Sequence, residues 1–305
     1  ARSEERIRHV TSIPDSIECL DKKAVFSFII MSDNKGDSVG NRKEFARMVK
    51  WSKRNDAQFA IGLGDHVKKG RDNGFLDFLE MDEWWHDNFY PNVADGENEF
   101  YGKGQDDWGA GAPIFDVVDL VNRKNVAVRE NGCEYHARIA VRGYTVHLIQ
   151  LHFSDEPEDE TLAFREDSKK YLIDTLEGIR KGEKDIVIVA AHSHTGFWTD
   201  NLNESHRRIV MEKCDLVLSA TTHFFGRRVL KGYEQTGALV INTGSITHPF
   251  GGSPAGYVEV HVLENPLALV VQYVNAKKRK RELQDHGFVF IKTIEGDISS
   301  PDFHP

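Results

Sequence analysis

The sequence has little cysteine, and its three residues, Cys19, Cys133 and Cys214, lie far apart. No C-x-x-C pair occurs, so neither a zinc knuckle nor a disulfide framework is indicated. Isolated cysteines on apolar stretches serve as small core residues, and this usage leans towards a reducing, cytoplasmic setting. A chain that opens on Ala1 is also compatible with a removed leader. Long hydrophobic runs are missing too. Stretches such as Ile186–Ala191 are strand-sized, well short of the roughly 18 residues of a helical span, so no membrane span is expected. Positive charge is in deficit, with 39 Lys and Arg against 48 Asp and Glu and a net charge of −9. A protein built to coat nucleic acid needs the opposite balance, and no nucleic-acid partner is expected. The basic run Lys277–Arg281 reads as a solvated face. There is no G-x-S-x-G nucleophile elbow. Gly109-Ala110-Gly111 lacks the strand–turn–helix setting of a nucleotide-binding loop.

What remains is ordinary globular composition, long enough for a sizeable core. Ala24–Met31 is a continuous apolar run ending in Ser32-Asp33-Asn34-Lys35-Gly36, which reads as a strand buried on both faces with a polar loop behind it. Residues 42–54 place Phe45, Met48, Val49 and Trp51 at helical spacing. Gln58–Leu63 is a second strand, and Phe75, Phe78, Leu79, Trp84 and Trp85 mark a helical segment after it. Residues 100–133 read as a long excursion with one helical piece from Pro113 to Val121. Strands are expected at Tyr135–Val141, Tyr144–Leu151, Asp185–Ala191 and Leu216–Ser219, with helices over 162–180 and 201–213. Short strands follow at 228–230, 238–242, 257–262 and 268–274. Strand and helix alternating early, then a run of strands, predicts an α/β fold of two packed sheets with helices outside. The expected organisation is one domain over 1–305, with an insertion at about 100–133 and C-terminal strands and tail over 255–305.

Five times an apolar strand, or the loop after it, delivers a potential metal ligand: Asp33, Asp65, Glu97, His192 and His223. Loops at the carboxyl ends of neighbouring strands converge. Three carboxylates brought together there repel one another unless a cation lies between them. Two imidazoles at the same edge favour a transition metal over Mg or Ca, which prefer all-oxygen shells.

This order of residues resembles the calcineurin-like metallophosphoesterase superfamily, whose pattern runs D-x-H, G-D, G-N-H-D/E, H, G-H-x-H. The matching blocks here are Ser32-Asp33-Asn34-Lys35, Leu63-Gly64-Asp65, Gly96-Glu97-Asn98-Glu99, Ala190-Ala191-His192 and Ala220-Thr221-Thr222-His223. Ile241-Asn242-Thr243-Gly244-Ser245-Ile246 is similar to the family's N-P-G-S-V segment. The resemblance spans about residues 25–263 and implies a four-layer α/β/β/α sandwich. It also implies a centre of one or two Mn, Fe or Zn ions held by Asp33, Asp65, Glu97, His192 and His223, with Asp65 bridging.

The departures from the pattern are chemical. Lys35 stands at the family's first His, Glu97 at its Asn ligand, Asn98 at its catalytic His, and Thr221 at the first His of its last motif. Each site then keeps two carboxylates and one imidazole, a set suited to Fe(II) or Mn(II). The Lys35 ammonium has no lone pair to offer; it replaces one ion electrostatically, grips an anionic substrate group, or turns to solvent. Asn98 donates a hydrogen bond but supplies no proton, leaving His194, His152 or His66 as proton donors. The reading that results is a divergent metal-dependent hydrolase of a phosphate ester, in which metal-activated water attacks a small-molecule or phosphoester substrate. Lys35, Asn98 and His194 serve as its catalytic residues. The alternatives are hydrolysis of another ester, such as a thioester, and a catalytically inactive binding protein on the same fold.

Overall fold

The computed structural model describes residues 24–33, 46, 48–50, 56–66, 75–92, 117–130, 134–152, 166–192, 201–220, 222–228, 232–233, 237–246, 255–264, 267–276, 280–281 and 289–293. The five strands expected at 24–31, 58–63, 135–141, 144–151 and 185–191 form as β1 (Ala24–Met31), β2 (Ala57–Gly62), β5 (Tyr135–Val141), β6 (Tyr144–Leu151) and β7 (Asp185–Ala191). Two further strands, β3 (Phe89–Tyr90) and β4 (Val126–Val128), come from segments with no strand expected. The later strands are β8 (Leu216–Ser219), β9 (Phe225–Arg228), β10 (Leu239–Thr243), β11 (Gly256–Leu263), β12 (Ala268–Asn275), β13 (Lys280–Arg281) and β14 (Val289–Thr293). β9 begins three residues before the expected strand at 228–230, because it pairs antiparallel with β10 from Phe225 opposite Thr243.

The strands form two seven-stranded mixed sheets. The first has the order β13-β12-β11-β1-β2-β3, with β14 also on β12; the second runs β4-β5-β6-β7-β8-β10-β9. Within the first sheet β1 and β2 run parallel. Within the second, β6, β7, β8 and β10 are all parallel neighbours. A parallel strand covered on both faces is apolar throughout, so odd and even positions sort into two layers. Ile186, Ile188 and Ala190 of β7 join Phe28 and Ile30 of β1 in the core between the sheets. Val187, Val189 and Ala191 face the other way, into a second core under two helices.

Those helices are α3 (Glu166–Gly178) and α4 (Glu204–Lys213), which put Leu172, Leu176, Val210 and Met211 onto the outer face of the second sheet. On the first sheet, the helical segment around 75–88 is two short helices, α1 (Phe75–Met81) and α2 (Glu83–Asn88). Asp82 breaks it: its backbone is extended and its carboxylate accepts from Trp85 N, an N-cap that starts a new helix. Trp85 and Phe75 still reach the first core, as their spacing required. The architecture is thus an α/β sandwich, as expected. None of the described helices is long and apolar enough to cross a membrane.

Candidate metal centre

Asp33 follows β1, Asp65 follows β2, His192 follows β7 and His223 follows β8. All four therefore leave the carboxyl ends of parallel strands, two from each sheet. His192 continues the parity of Ile186, Ile188 and Ala190, so its ring points between the sheets, towards β2. Three of the six described non-glycine residues with positive φ are Asp33 (52°), Asp65 (53°) and His223 (59°). Left-handed backbone costs an L-residue about 1–2 kcal/mol, with Asp and His among the residues that adopt it most readily. Such conformations persist where the surroundings over-determine them, and they gather at functional sites.

Hydrogen bonds supply that determination. Asp33 N donates to Gly64 O at 3.1 Å, tying the two carboxylate loops together. Ser245 Oγ donates to Asp33 O at 3.2 Å, Ser32 Oγ to Gly244 O at 2.6 Å, and Ile246 N to Ser32 O at 3.3 Å. Thr243 Oγ1 donates to Ser219 O at 3.2 Å. The segment from Asn242 to Ile246, singled out in the sequence, thus clasps the Asp33 loop from the opposite sheet.

The side chains converge. Ligand atoms of Asp33, Asp65 and His223 all lie within 4.8 Å of one another. His223 Nε2 is 2.8 Å from Asp33 Oδ1, and His192 Nε2 is 3.6 Å from Asp65 Oδ2. Both carboxylates and His192 are buried; His223 is partly open to solvent. His192 Nδ1 lies 2.9 Å from Leu63 O. A carbonyl only accepts, so Nδ1 carries the hydrogen and Nε2 presents its lone pair to the centre. This is the backbone-oriented imidazole typical of a metal ligand. Donors sharing one ion at about 2.0–2.2 Å lie within about 4.4 Å of one another, so movements of a few tenths of an ångström suffice. Two carboxylates with imidazole nitrogen form a set that fits a divalent transition metal.

Burial alone would push the Asp33 carboxyl up. The hydrogen bond from His223 leads the effects that outweigh it, holding Asp33 below the ordinary carboxylate range. His66, next to Asp65, is driven towards its neutral form. Burial, reinforced by His192, lowers its pKa to about 3, so it is neutral at ordinary pH. It is buried with its Nε2 accepting from Gly64 N at 3.2 Å, which leaves no proton there to donate.

Lys35, Glu97, Asn98 and His194 lie outside the described residues, as do most of the 100–133 excursion and Lys277–Arg279 of the basic run. His152 stands directly after β6, half-buried. Two residues that shape the site had no role in the sequence reading, Asn92 and Gln150. Gln150 reaches from the second sheet to donate to Gly62 O at 3.0 Å and Tyr90 O at 3.3 Å in the first. Asn92 Nδ2 donates back to Gln150 Oε1 at 2.9 Å, and Asn92 N to Gly62 O at 2.8 Å. The one signal for Gln150 was an amide interrupting the apolar run Val146–Leu151.

No protein-family model matches the sequence, and no curated protein does either. Solved structures do match. GAP50, described as the anchor in the inner membrane complex of Plasmodium, is 15% identical with a TM-score of 0.55 over 88% of this chain and 89% of that one. A 5'-nucleotidase from Candida albicans is 12% identical, TM-score 0.48, over 87% of this chain and 56% of that one. Vps29 of Chaetomium thermophilum is 11% identical, TM-score 0.37, over 88% and 98%. At 15% identity the likeness to GAP50 is one of fold, and it agrees with the fold that the motif resemblance implied.

Proposed function

We propose that this chain, which has the calcineurin-like metallophosphoesterase fold, is a metal-dependent hydrolase of phosphate esters. The observation that carries the reading is the meeting of Asp33, Asp65 and His223 within 4.8 Å, each from a different strand end and each in left-handed backbone. Asp33, Asp65 and His223 would hold one ion. His192, with its Nε2 towards Asp65, belongs to a second set that Glu97 completes, and Asp65 is common to both. When bound, such an ion lowers the pKa of its water to near neutral and polarises a phosphoryl oxygen.

The chain's own groups do the rest. Burial of both carboxylates keeps the dielectric low around the centre, so charge placed there acts strongly. The clasp from Ser245 and the Gly64–Asp33 bond hold the acids without reorganisation. Lys35, two residues beyond Asp33, and Asn98, next to Glu97, offer donors to the negative charge that develops on the ester. His194, two residues beyond His192, is the proton donor to the leaving group.

The test uses protein purified without a chelator or a metal-affinity column. Elemental analysis is expected to find one or two Mn, Fe or Zn ions per chain, with turnover of a chromogenic phosphomonoester or phosphodiester. Asp65→Asn should remove the ions and lower turnover by at least about 100-fold. Turnover that survives this substitution, or wild-type protein that takes up no ion on titration, overturns the reading.

A further inference from the structure

The four residues from Gly62 to Asp65 form the hub of the centre. Gly62 O accepts from Asn92 N at 2.8 Å and from Gln150 Nε2 at 3.0 Å. Leu63 N donates to Met31 O at 2.9 Å, and Leu63 O accepts from His192 Nδ1 at 2.9 Å. Gly64 O accepts from Asp33 N at 3.1 Å. One short segment therefore carries Asp65, orients His192 and fixes the backbone of Asp33. Gly64 has φ 108°, a conformation that side-chain-bearing residues rarely adopt, so its peptide needs holding from outside the β ladder.

That hold on Gly64 N is the His66 imidazole, whose Nε2 accepts at 3.2 Å. The ring sits in a fitted slot. It stacks on Phe75 at 5.6 Å and 28°, and meets Phe89 edge-on at 5.4 Å and 71°. On its other side a Cβ at Gly62 would lie only 2.4 Å from Nε2, so the slot exists because residue 62 is glycine. The two aromatic rings fix the plane of the imidazole, and the plane aims the Nε2 lone pair at Gly64.

We propose that His66 is a positioning residue: its Nε2 accepts from Gly64 N, locks that peptide and so sets Asp65, Asp33 and His192 at ligating distance. The proposal rests on the metal-centre reading above and assigns His66 no contact with an ion or with substrate.

The experiment is Co(II) titration of wild type, His66→Phe and His66→Gln, followed by the visible d–d absorption of bound cobalt and by calorimetry. Phenylalanine fills the aromatic slot and accepts nothing; the Gln carbonyl oxygen can reach Gly64 N. The expected result is a Co(II) affinity 10- to 100-fold weaker in His66→Phe, the size of loss seen when groups behind metal ligands are removed, with a changed spectrum. His66→Gln should return to within about threefold of wild type. Equal affinity and an identical spectrum in His66→Phe overturn the proposal. So does a His66→Gln variant that folds and is as impaired as His66→Phe. If His66→Phe does not fold, the tautomer decides: long-range 1H–15N correlation of ring nitrogens in wild type should show His66 bare at Nε2, and a hydrogen there overturns it. Wild type that takes up no cobalt, zinc or manganese refutes the metal-centre reading itself, which is a different outcome from cobalt binding that ignores His66.

Discussion

Gln150→Leu tests whether the two sheets are clasped at the site by one buried amide. Gln150 is fully buried, and leucine is close to it in volume, so the change removes polarity without opening a cavity. Three hydrogen bonds go, to Gly62 O, to Tyr90 O and from Asn92 Nδ2. At roughly 1 kcal/mol net each, the loss is about 3 kcal/mol. Two of the partners are protected, because Gly62 O keeps Asn92 N and Asn92 Nδ2 keeps Leu151 O at 2.9 Å. Crediting these, and the gain from burying a leucine, the expected destabilisation is about 2 kcal/mol. For a chain of 305 residues that lowers Tm by about 3 °C, to be read by calorimetry alongside urea denaturation. Gln150→Glu should cost more, on the order of 3–5 kcal/mol, since it leaves a carboxylate buried opposite Gly62 O and Tyr90 O. A Gln150→Leu variant within about 0.5 kcal/mol of wild type, the range of ordinary surface changes, would refute the clasp.

Two further outcomes follow from groups around and away from the centre. Gly62→Ala places a Cβ at 2.4 Å from His66 Nε2 and 2.6 Å from Phe89 Cζ, both on packed rings. Overpacking of this kind costs about 1–3 kcal/mol, and the displaced imidazole should weaken Co(II) uptake as His66→Phe does; unaltered stability in urea would count against the fitted slot. On the second sheet, His136 Nε2 and His147 Nδ1 are 3.1 Å apart, sharing one hydrogen. Burial, then His147 and Arg138, lower the His136 pKa from 6.5 to about 4. The unfolded chain therefore takes up a proton near pH 6.5 that the fold refuses, so stability is full above that pH and is lost as pH falls towards 4. Allowing for partial exposure, the loss is about 2 kcal/mol. Denaturation midpoints at about pH 7.5 and about pH 4.5, which bracket the titration, should converge in His136→Leu relative to wild type; an unchanged difference would refute the assignment.

The legibility of this protein in its sequence differs by layer. β1 and β7 could be read to the residue from apolar runs, because strands covered on both faces carry little polar interruption and end abruptly where the loop begins, and β5 and β6 from alternation. The same abrupt ends exposed Asp33, Asp65 and His192 as candidate ligands. The single helix expected over 75–85 failed at Asp82, where spacing of the aromatics survived but a carboxylate cap on Trp85 N divided the segment. β3 and β4 are two and three residues long, and their pairing with β2 and β5 is set by those neighbours. No local pattern is long enough to announce them.

Residue types and their order along the chain settled which groups stand at strand ends, since hydrophobic periodicity is a local property. Only the tertiary structure decided that ends from two different sheets meet, that Asp33, Asp65 and His223 take left-handed backbone, and that His66 turns inward to hold Gly64. The meeting of the ends and the hold on their loops depend on partners scores of residues away in the chain, such as Ser245 for Asp33 and Leu63 for His192, and the turn of His66 on the rings of Phe75 and Phe89. Such pairings arise only when the sheets pack face to face, and periodicity within one strand carries no trace of them.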